Sequence, residues 1–189
     1  MQTVFVLAVL AYLCGSVPTG KLLGWRKNID IQKHGSGNIG FANAVRVLGW
    51  RDGIIVLIVD VLKGFAPVFA AKWLGFEDAA LLAIGLLPII GHAYPVWLRF
   101  RGGKSIATGL GVLLVIAPLL AACATAVYLV TLAIWRKSAA GSLVGVWSLP
   151  VWAVIFDPRL VWYVLLLALF ATYTHRQNIR DFMRRTYAT

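Results

Sequence analysis

Long apolar segments recur along almost the whole of this chain. Of its 189 residues, 60% are hydrophobic and 13% are charged, whereas roughly a quarter of the residues in a soluble domain are charged. An α-helix needs about 20 predominantly apolar residues to cross a bilayer, and several segments approach that length. The sequence therefore predicts an all-α, polytopic integral membrane protein with a single membrane-embedded domain over residues 1–189.

The basic residues of the loops decide how many helices cross. The apolar run 106–135 is long for one helix, and Arg and Lys residues flank both of its ends. Because such residues collect on the cytoplasmic side, both ends belong there, and we split the run at Pro118 into two short helices. This gives seven transmembrane helices, with the N-terminus outside and the C-terminus in the cytoplasm. The other spans are expected near residues 2–24, 53–74, 79–98, 142–156 and 159–175.

The net charge of +11 comes from 18 Lys and Arg against 7 Asp and Glu. In a soluble protein this excess would suggest nucleic acid as a partner. Here most of the basic residues fall in the short predicted inner loops, as the positive-inside rule expects. We therefore expect no nucleic-acid binding.

The first inner loop carries the segment GSGNIG, residues 35–40. Closely spaced glycines permit positive φ angles and a close approach of the backbone, and successive N–H groups can then form a concavity that binds an anion. A flexible turn between two helices is the alternative interpretation. The residues of this loop that favour phosphate binding are Gly35, Ser36, Gly37, Asn38, Gly40, Asn43 and Arg46.

A second inner loop places Gly102, Gly103 and Lys104 at the predicted start of a helix, where free N–H groups and the helix dipole favour phosphate. The segment is not a Walker A motif, because Leu98 stands where the first glycine is required and no strand precedes it. His92, at the inner end of the third span, is interpreted either as a structural hydrogen-bonding residue or as part of the site.

Polar residues near the C-terminus and inside the second span complete the candidate set. His175 and Asn178 lie three residues apart and would share one face of a continuing helix; the alternative is an amphipathic basic tail on anionic headgroups. Asp60 and Lys63 also lie three residues apart, within a span, where charges are costly and face the protein interior. We expect a local ion pair that braces the site, with a proton or ion relay as the alternative.

Several familiar catalytic patterns are missing from the sequence. It contains no Cys/His cluster for a metal, no Gly-x-Ser-x-Gly elbow and no His-x4-Asp pair. We expect neither a metal nor a cofactor. Few side chains are candidates for acid–base catalysis, which favours a reaction with a good leaving group, and three phosphate-binding loops suggest that two phosphates bind.

Five motifs together resemble one family. They are GSVPTGKLLG (15–24), GSGNIGFANAVRVLG (35–49), DVLKG (60–64), GHAYPVWLRFRGGKSIATGLGV (91–112) and HRQNI (175–179). The chain resembles the bacterial acyl-phosphate-dependent glycerol-3-phosphate acyltransferases, the PlsY family, nearly from end to end. The resemblance implies a seven-span enzyme of the bacterial inner membrane, with its active site facing the cytoplasm.

The same resemblance implies the reaction and its participants. An acyl chain passes from acyl phosphate to the C1 hydroxyl of sn-glycerol 3-phosphate, giving lysophosphatidate and phosphate, the first step of phospholipid synthesis. Membrane lipid and the soluble enzyme that makes acyl phosphate are the expected partners. The catalytic residues are then expected to be Ser36, Asn38, Lys104 and His175. Substrate binding is assigned to Gly35, Gly37, Gly40, Asn43, Arg46, His92, Gly102, Gly103, Ser138 and Asn178.

Two segments depart from the family pattern. Phe41-Ala42 stands where the family usually has Ala-Thr, so a hydroxyl is lost and an aromatic ring is gained. A Ser-rich start of the sixth span corresponds here to RKSAAGS, where Ser138 or Ser142 fills the role. A membrane transporter of a small phosphate ester is the alternative function, although neither an internal repeat nor a polar path at the midplane beyond Asp60 and Lys63 is evident. A purely structural membrane component ranks third, because it would not need these glycine-rich loops.

Overall fold

The computed structural model describes the backbone of residues 2–187 and, within that range, all side chains except those of residues 2, 78 and 185–187. Over this range the regular secondary structure is entirely helical, which confirms the all-α prediction. Three short 3₁₀ turns cover Ile31–Lys33, Val96–Leu98 and Pro158–Leu160. The α-helices are α1 Gln2–Ser16, α2 Thr19–Arg26, α3 Phe41–Leu48, α4 Trp50–Trp73, α5 Asp78–Ala93, α6 Ile106–Ile116, α7 Pro118–Trp135, α8 Ser138–Phe156, α9 Val161–Thr174 and α10 Arg176–Tyr187.

Several of these helices can cross a membrane, as predicted for a polytopic protein. Four described segments are long and apolar enough to do so, namely Trp50–Trp73, Ala79–Leu98, Pro118–Trp135 and Ser138–Phe156. The pair α1 and α2 adds a fifth if it counts as one span. Two shorter apolar segments, Ile106–Ile116 and Pro158–Thr174, complete the set. The predicted division of the run 106–135 at Pro118 is confirmed, because α6 ends at Ile116 and α7 begins at Pro118.

The first predicted span is not one straight helix. It is broken between Ser16 and Thr19, and the two halves are bent by 41°. Pro18 explains the break: it has no N–H to donate to the preceding turn, and it disfavours the helical conformation at Val17. The Val17 carbonyl accepts hydrogen bonds from the Thr19 N–H at 3.1 Å and from Lys63 Nζ at 2.9 Å.

The described residues form two compact units, one ending at Ala117 and one beginning at Pro118. That the whole chain is one domain stays a prediction. In the first unit, glycines let helices approach closely. A side chain on Gly64 of α4 would overlap the Thr108 carbonyl of α6, and one on Gly111 of α6 would overlap the Val61 carbonyl of α4. Gly15 of α1 lies in the same way against Pro88 of α5, as is usual where membrane helices pack through small residues.

The second unit contains α7 to α10. Gly141 and Gly145 of α8 face Tyr128 of α7, so these two helices also pack through small residues. Trp147 Nε1 donates a hydrogen bond to Thr172 Oγ1 at 2.9 Å, which joins α8 to α9.

Candidate active site

The side-chain amide of Asn43 holds the first inner loop together. Asn43 is the third residue of α3 and is 1% exposed. Its Oδ1 accepts a hydrogen bond from the Ser36 N–H at 2.9 Å. Its Nδ2 donates to the carbonyls of Ile31, His34 and Asn38 at 3.2, 3.1 and 2.9 Å. The structure thus gives Asn43 a loop-holding role; that it also binds substrate stays a prediction.

The glycines of this loop are required by its path. Gly35 and Gly37 have φ angles of 59° and 69°, which glycine adopts without the steric cost that a side chain brings. A side chain on Gly35 would also overlap Asn43 Oδ1. The Gly37 N–H donates to the His34 carbonyl at 3.0 Å, so the loop turns back on itself above Asn43. The expected positive φ angles are therefore present at Gly35 and Gly37, and that this loop binds an anion stays a prediction.

An ion pair that sequence reasoning missed anchors the start of the loop. Lys21 of α2 pairs with Asp30, whose Oδ1 also accepts a hydrogen bond from the Gln32 N–H at 3.1 Å. The Lys21 hydrogen bond, more than any other contact, holds the pKa of the Asp30 carboxyl below its usual value. The available signal was Lys21 itself, because a lysine near the end of a span needs a partner and Asp30 is the acid nearest to it along the chain.

Three predicted residues of this loop present polar atoms that the loop does not use. Ser36 is exposed, and Asn38 is half-buried with its Oδ1 accepting from the Gly40 N–H at 3.1 Å. Ser36 Oγ and Asn38 Nδ2 have no hydrogen-bond partner among the described side chains and backbone. Arg46 is exposed one turn after Asn43, and its Nη1 lies 3.5 Å from Asn43 Oδ1. These hydroxyl, amide and guanidinium groups are the ones suited to a phosphate.

The second inner loop folds back onto the end of α5. The Gly102 N–H donates to the Ala93 carbonyl at 3.0 Å and the Gly103 N–H to the His92 carbonyl at 2.9 Å. A side chain on Gly102 would overlap the His92 carbonyl, and one on Gly103 would overlap the His92 ring. Close packing against His92 therefore explains why both positions are glycine. Since their N–H groups already have acceptors, their part in phosphate binding stays a prediction, and the following N–H groups at the start of α6 are better suited to it.

The residues after these glycines connect the loop to α6. Ser105 is buried, has a φ of 64° and donates its hydroxyl to the Ile89 carbonyl at 2.7 Å. Lys104, just before it, is half-buried. Gln32 Nε2 donates to the Arg101 carbonyl at 2.9 Å, which joins the first inner loop to the second. The structure thus brings together two of the three loops that the sequence predicts to form one site.

Asp60, Lys63 and His92 form a buried polar cluster beneath these loops. Lys63 Nζ lies 2.7 Å from Asp60 Oδ1, so the predicted ion pair is confirmed. His92 Nδ1 lies 3.8 Å from the same carboxylate oxygen. All three residues are at most 4% exposed.

The remaining predicted residues lie in the second unit. His175 follows the last residue of α9, is 1% exposed and has its Nδ1 2.8 Å from the Ala171 carbonyl. Because a carbonyl only accepts, Nδ1 carries the proton of this hydrogen bond. Asn178 follows within α10 and is half-buried. Ser138 begins α8, with its hydroxyl 3.3 Å from Tyr128 Oη, whereas the hydroxyl of the buried Ser142 donates to the Ser138 carbonyl at 2.9 Å.

The segment that departs from the family pattern forms an aromatic pair. Phe41 lies edge-on to Trp50, with ring centroids 6.3 Å apart. Ala42 is exposed beside Asn43. The structure thus accommodates the ring of Phe41 between the start of α3 and the start of α4.

Comparison with known proteins decides the family. A sequence model of the glycerol-3-phosphate acyltransferases matches residues 5–185. This chain belongs to the glycerol-3-phosphate acyltransferase family. A relative named glycerol-3-phosphate acyltransferase from Desulforamulus reducens is 42% identical over an alignment of 187 residues, which covers 97% of this chain and 94% of the relative. Another, from Myxococcus xanthus, is 44% identical over an alignment of 185 residues, which covers 95% of this chain and 96% of that relative.

Solved structures agree with this acyltransferase assignment. The crystal structure of PlsY, an integral membrane glycerol 3-phosphate acyltransferase, in its glycerol 3-phosphate form superposes with a TM-score of 0.90 at 32% identity. The match covers 96% of this chain and 92% of that one. The lysophosphatidic acid form of PlsY gives a TM-score of 0.87. This chain is therefore an all-α, polytopic membrane protein of the PlsY type.

Proposed function

We propose that this acyltransferase transfers an acyl chain from acyl phosphate to the C1 hydroxyl of sn-glycerol 3-phosphate, giving lysophosphatidate and phosphate. The observation that carries the proposal is the likeness to PlsY, at a TM-score of 0.90 over 96% of this chain. PlsY is described in a glycerol 3-phosphate form and a lysophosphatidic acid form, and these two molecules are the acceptor and the product of the proposed reaction.

The acyl donor is proposed from the chemistry of the side chains. The C1 hydroxyl oxygen attacks the acyl carbon, the bond from that carbon to the phosphate oxygen breaks, and phosphate leaves with the bonding electrons. The hydroxyl proton passes to the departing phosphate or to a histidine. Because acyl phosphate is a mixed anhydride, its phosphate leaves without a strong acid, so catalysis rests mainly on positioning and on stabilising the tetrahedral oxyanion.

The two substrates would then be divided between the loops. Ser36 Oγ and Asn38 Nδ2, on the bent glycine loop, hold the phosphate of acyl phosphate. Arg46 and Lys104 supply positive charge for glycerol 3-phosphate. The remaining predicted ligands are His92, His175, Asn178 and Ser138, together with the backbone at Gly35, Gly37, Gly40, Gly102 and Gly103.

The site would face the cytoplasm of a bacterial inner membrane. The seven crossings that the loop charges require would be made by the four long apolar helices, the bent pair α1 and α2, and the two shorter apolar segments. With the N-terminus outside, the loops at residues 27–40 and 99–105 lie on the cytoplasmic side. There they meet soluble glycerol 3-phosphate and the soluble enzyme that supplies acyl phosphate, while the surrounding lipid takes up the product.

Activity in lipid tests the proposal directly. Protein reconstituted in vesicles and given acyl phosphate with labelled glycerol 3-phosphate should release phosphate and form labelled lysophosphatidate. Uptake of the label into sealed vesicles without product would contradict the proposal and would instead support a transporter of a small phosphate ester.

Lys104→Ala tests the assignment of the second loop. We expect the KM for glycerol 3-phosphate to rise about tenfold or more, or activity to be lost, because an ion pair with phosphate is removed from a partly shielded site. Lys72→Ala is the matched control, since Lys72 is exposed at the far end of α4 and donates to the Val115 carbonyl. Unchanged kcat and KM in Lys104→Ala would contradict this site.

A further inference from the structure

The buried cluster of Asp60, Lys63 and His92 contains more polar groups than an ion pair needs. Lys63 has two partners, Asp60 Oδ1 at 2.7 Å and the Val17 carbonyl at 2.9 Å. A buried ion pair of this kind adds little net stability by itself, because desolvation offsets the attraction. Bracing α4 against the break after α1 therefore accounts for Lys63, but it does not explain why the same carboxylate faces a histidine on α5.

The His92 ring lies between the Asp60 carboxylate and Gly103. On one side, its Nδ1 lies 3.8 Å from Asp60 Oδ1 and has no hydrogen-bond partner among the described residues. At 3.8 Å the carboxylate is beyond hydrogen-bond distance, but in a buried site its charge still acts on the polar ring nitrogen. On the other side, the ring lies against Gly103, where a side chain would overlap Nε2.

The same histidine also contacts the second inner loop. The His92 carbonyl accepts the Gly103 N–H at 2.9 Å, so both the backbone and the ring of His92 contact Gly103. Lys104 follows Gly103 directly in the chain. The His92 ring therefore lies against the backbone from which the Lys104 side chain extends.

We propose that Asp60 is a positioning residue for glycerol 3-phosphate, acting through His92 and Gly103 on Lys104. The inference rests on the proposed function and adds to it a side chain that lies within the membrane and contacts neither substrate. Asp60 sets the orientation of the His92 ring, the ring sets the height of Gly103, and Gly103 sets where the Lys104 ammonium meets the phosphate.

A pair of substitutions separates positioning from simple stabilisation. Asp60→Asn alone leaves the Lys63 charge buried without its counterion, so we expect a lower melting temperature. Asp60→Asn combined with Lys63→Met removes both charges, and the Val17 carbonyl keeps its hydrogen bond from the Thr19 N–H. The double variant should therefore recover most of the melting temperature.

The kinetics of the double variant decide the question. We expect its KM for glycerol 3-phosphate to stay raised about tenfold or more, because small displacements of a positioning group cost one to two orders of magnitude, while its KM for acyl phosphate stays within about twofold. Asp60→Leu with Lys63→Met replaces the same carboxylate by an apolar side chain. It provides a second variant in case the first does not fold. Asp157→Asn, at an exposed Asp–Arg pair, is the control and should change neither value.

Each result has one meaning. A folded variant that lacks the Asp60 carboxylate and has the wild-type KM for glycerol 3-phosphate would overturn the positioning role while leaving the proposed function intact. Wild-type protein that forms no lysophosphatidate would overturn the proposed function and this inference together.

Discussion

At the scale of single residues, the Asn43 amide bonds to four backbone groups between residues 31 and 38. Asn43→Asp keeps the shape but turns the donor toward three carbonyls into an acceptor. We expect the free energy of unfolding to fall by about 1–3 kcal/mol or more, as for other buried polar groups left without partners, and activity to be lost as the loop opens. Thermal melting in detergent and the acyltransferase assay measure the two effects.

Asn28→Asp is the matched control for that substitution. Asn28 is exposed with a φ of 58°, a conformation that aspartate also tolerates. It should leave both melting temperature and activity close to wild type. Equal losses in the two variants would show that added negative charge, and not the Asn43 hydrogen bonds, causes the effect.

The sequence indicates which residue types can bind a phosphate but not which polar atoms are already in use. Ser36, Asn38 and Arg46 are recognisable from their types and spacing; Ser36 and Asn38 lie on the glycine loop and Arg46 on α3, which follows it. From the sequence alone, Asn43 and Gly103 look equally suited to binding a phosphate. Their amide and N–H groups are taken up by the carbonyls of residues distant in the chain, and that depends on the tertiary path of the loops.

At the scale of helices, Gly111 and Gly109 of α6 make a matched pair. A side chain on Gly111 would overlap the Val61 carbonyl of α4, whereas the nearest atom to one on Gly109 is Ile89 Cδ1 at 3.9 Å, an ordinary contact. We expect Gly111→Ala to lower the free energy of unfolding by about 1–3 kcal/mol, the usual cost of overpacking. Gly109→Ala should be neutral or slightly stabilising, since alanine favours the helix. Thermal melting of both variants checks the prediction, and equal melting temperatures would contradict close packing of α4 on α6.

A proline lies at each of two helix breaks, and the sequence analysis predicted only one of them. The break at Pro118 was predicted because an overlong apolar run and basic flanks demanded two helices there. The break at Pro18 was not predicted. The run from residue 2 to residue 24 has a plausible length for one span, and no charged residue before Lys21 required two helices there. At both breaks the proline cannot donate to the preceding turn, but a proline alone does not decide a break, because Pro67, Pro88 and Pro150 lie inside helices.

The length of α6 bears on the depth of the second loop. With 11 residues, α6 is roughly 16 Å long at the usual rise per residue, about half of the hydrocarbon thickness of a bilayer. In the proposed topology the turn at Ala117 lies on the outer side, so an α6 that runs along the membrane normal would end inside the bilayer and place the second inner loop below the cytoplasmic membrane surface. Such a position would bring Lys104 close to the boundary between the lipid headgroups and the acyl chains.

At the scale of the whole molecule, the distribution of charge predicts an orientation in the membrane. Lys33 lies in the first inner loop and Arg159 in the turn between α8 and α9, and both are exposed. The positive-inside rule places the loop with more basic residues in the cytoplasm. The two positions should therefore lie on opposite sides of the membrane.

Labelling of single cysteines tests this orientation. In a chain whose native Cys14 and Cys123 are replaced by alanine, a membrane-impermeant maleimide should label Arg159→Cys in intact cells but Lys33→Cys only after permeabilisation, because the bilayer excludes the charged reagent from the cytoplasm. The cysteine-free parent, which should remain active and unlabelled, is the control. Labelling of Lys33→Cys in intact cells would place the glycine loop outside, away from any soluble supplier of acyl phosphate, and labelling of both positions would require an even number of crossings between them.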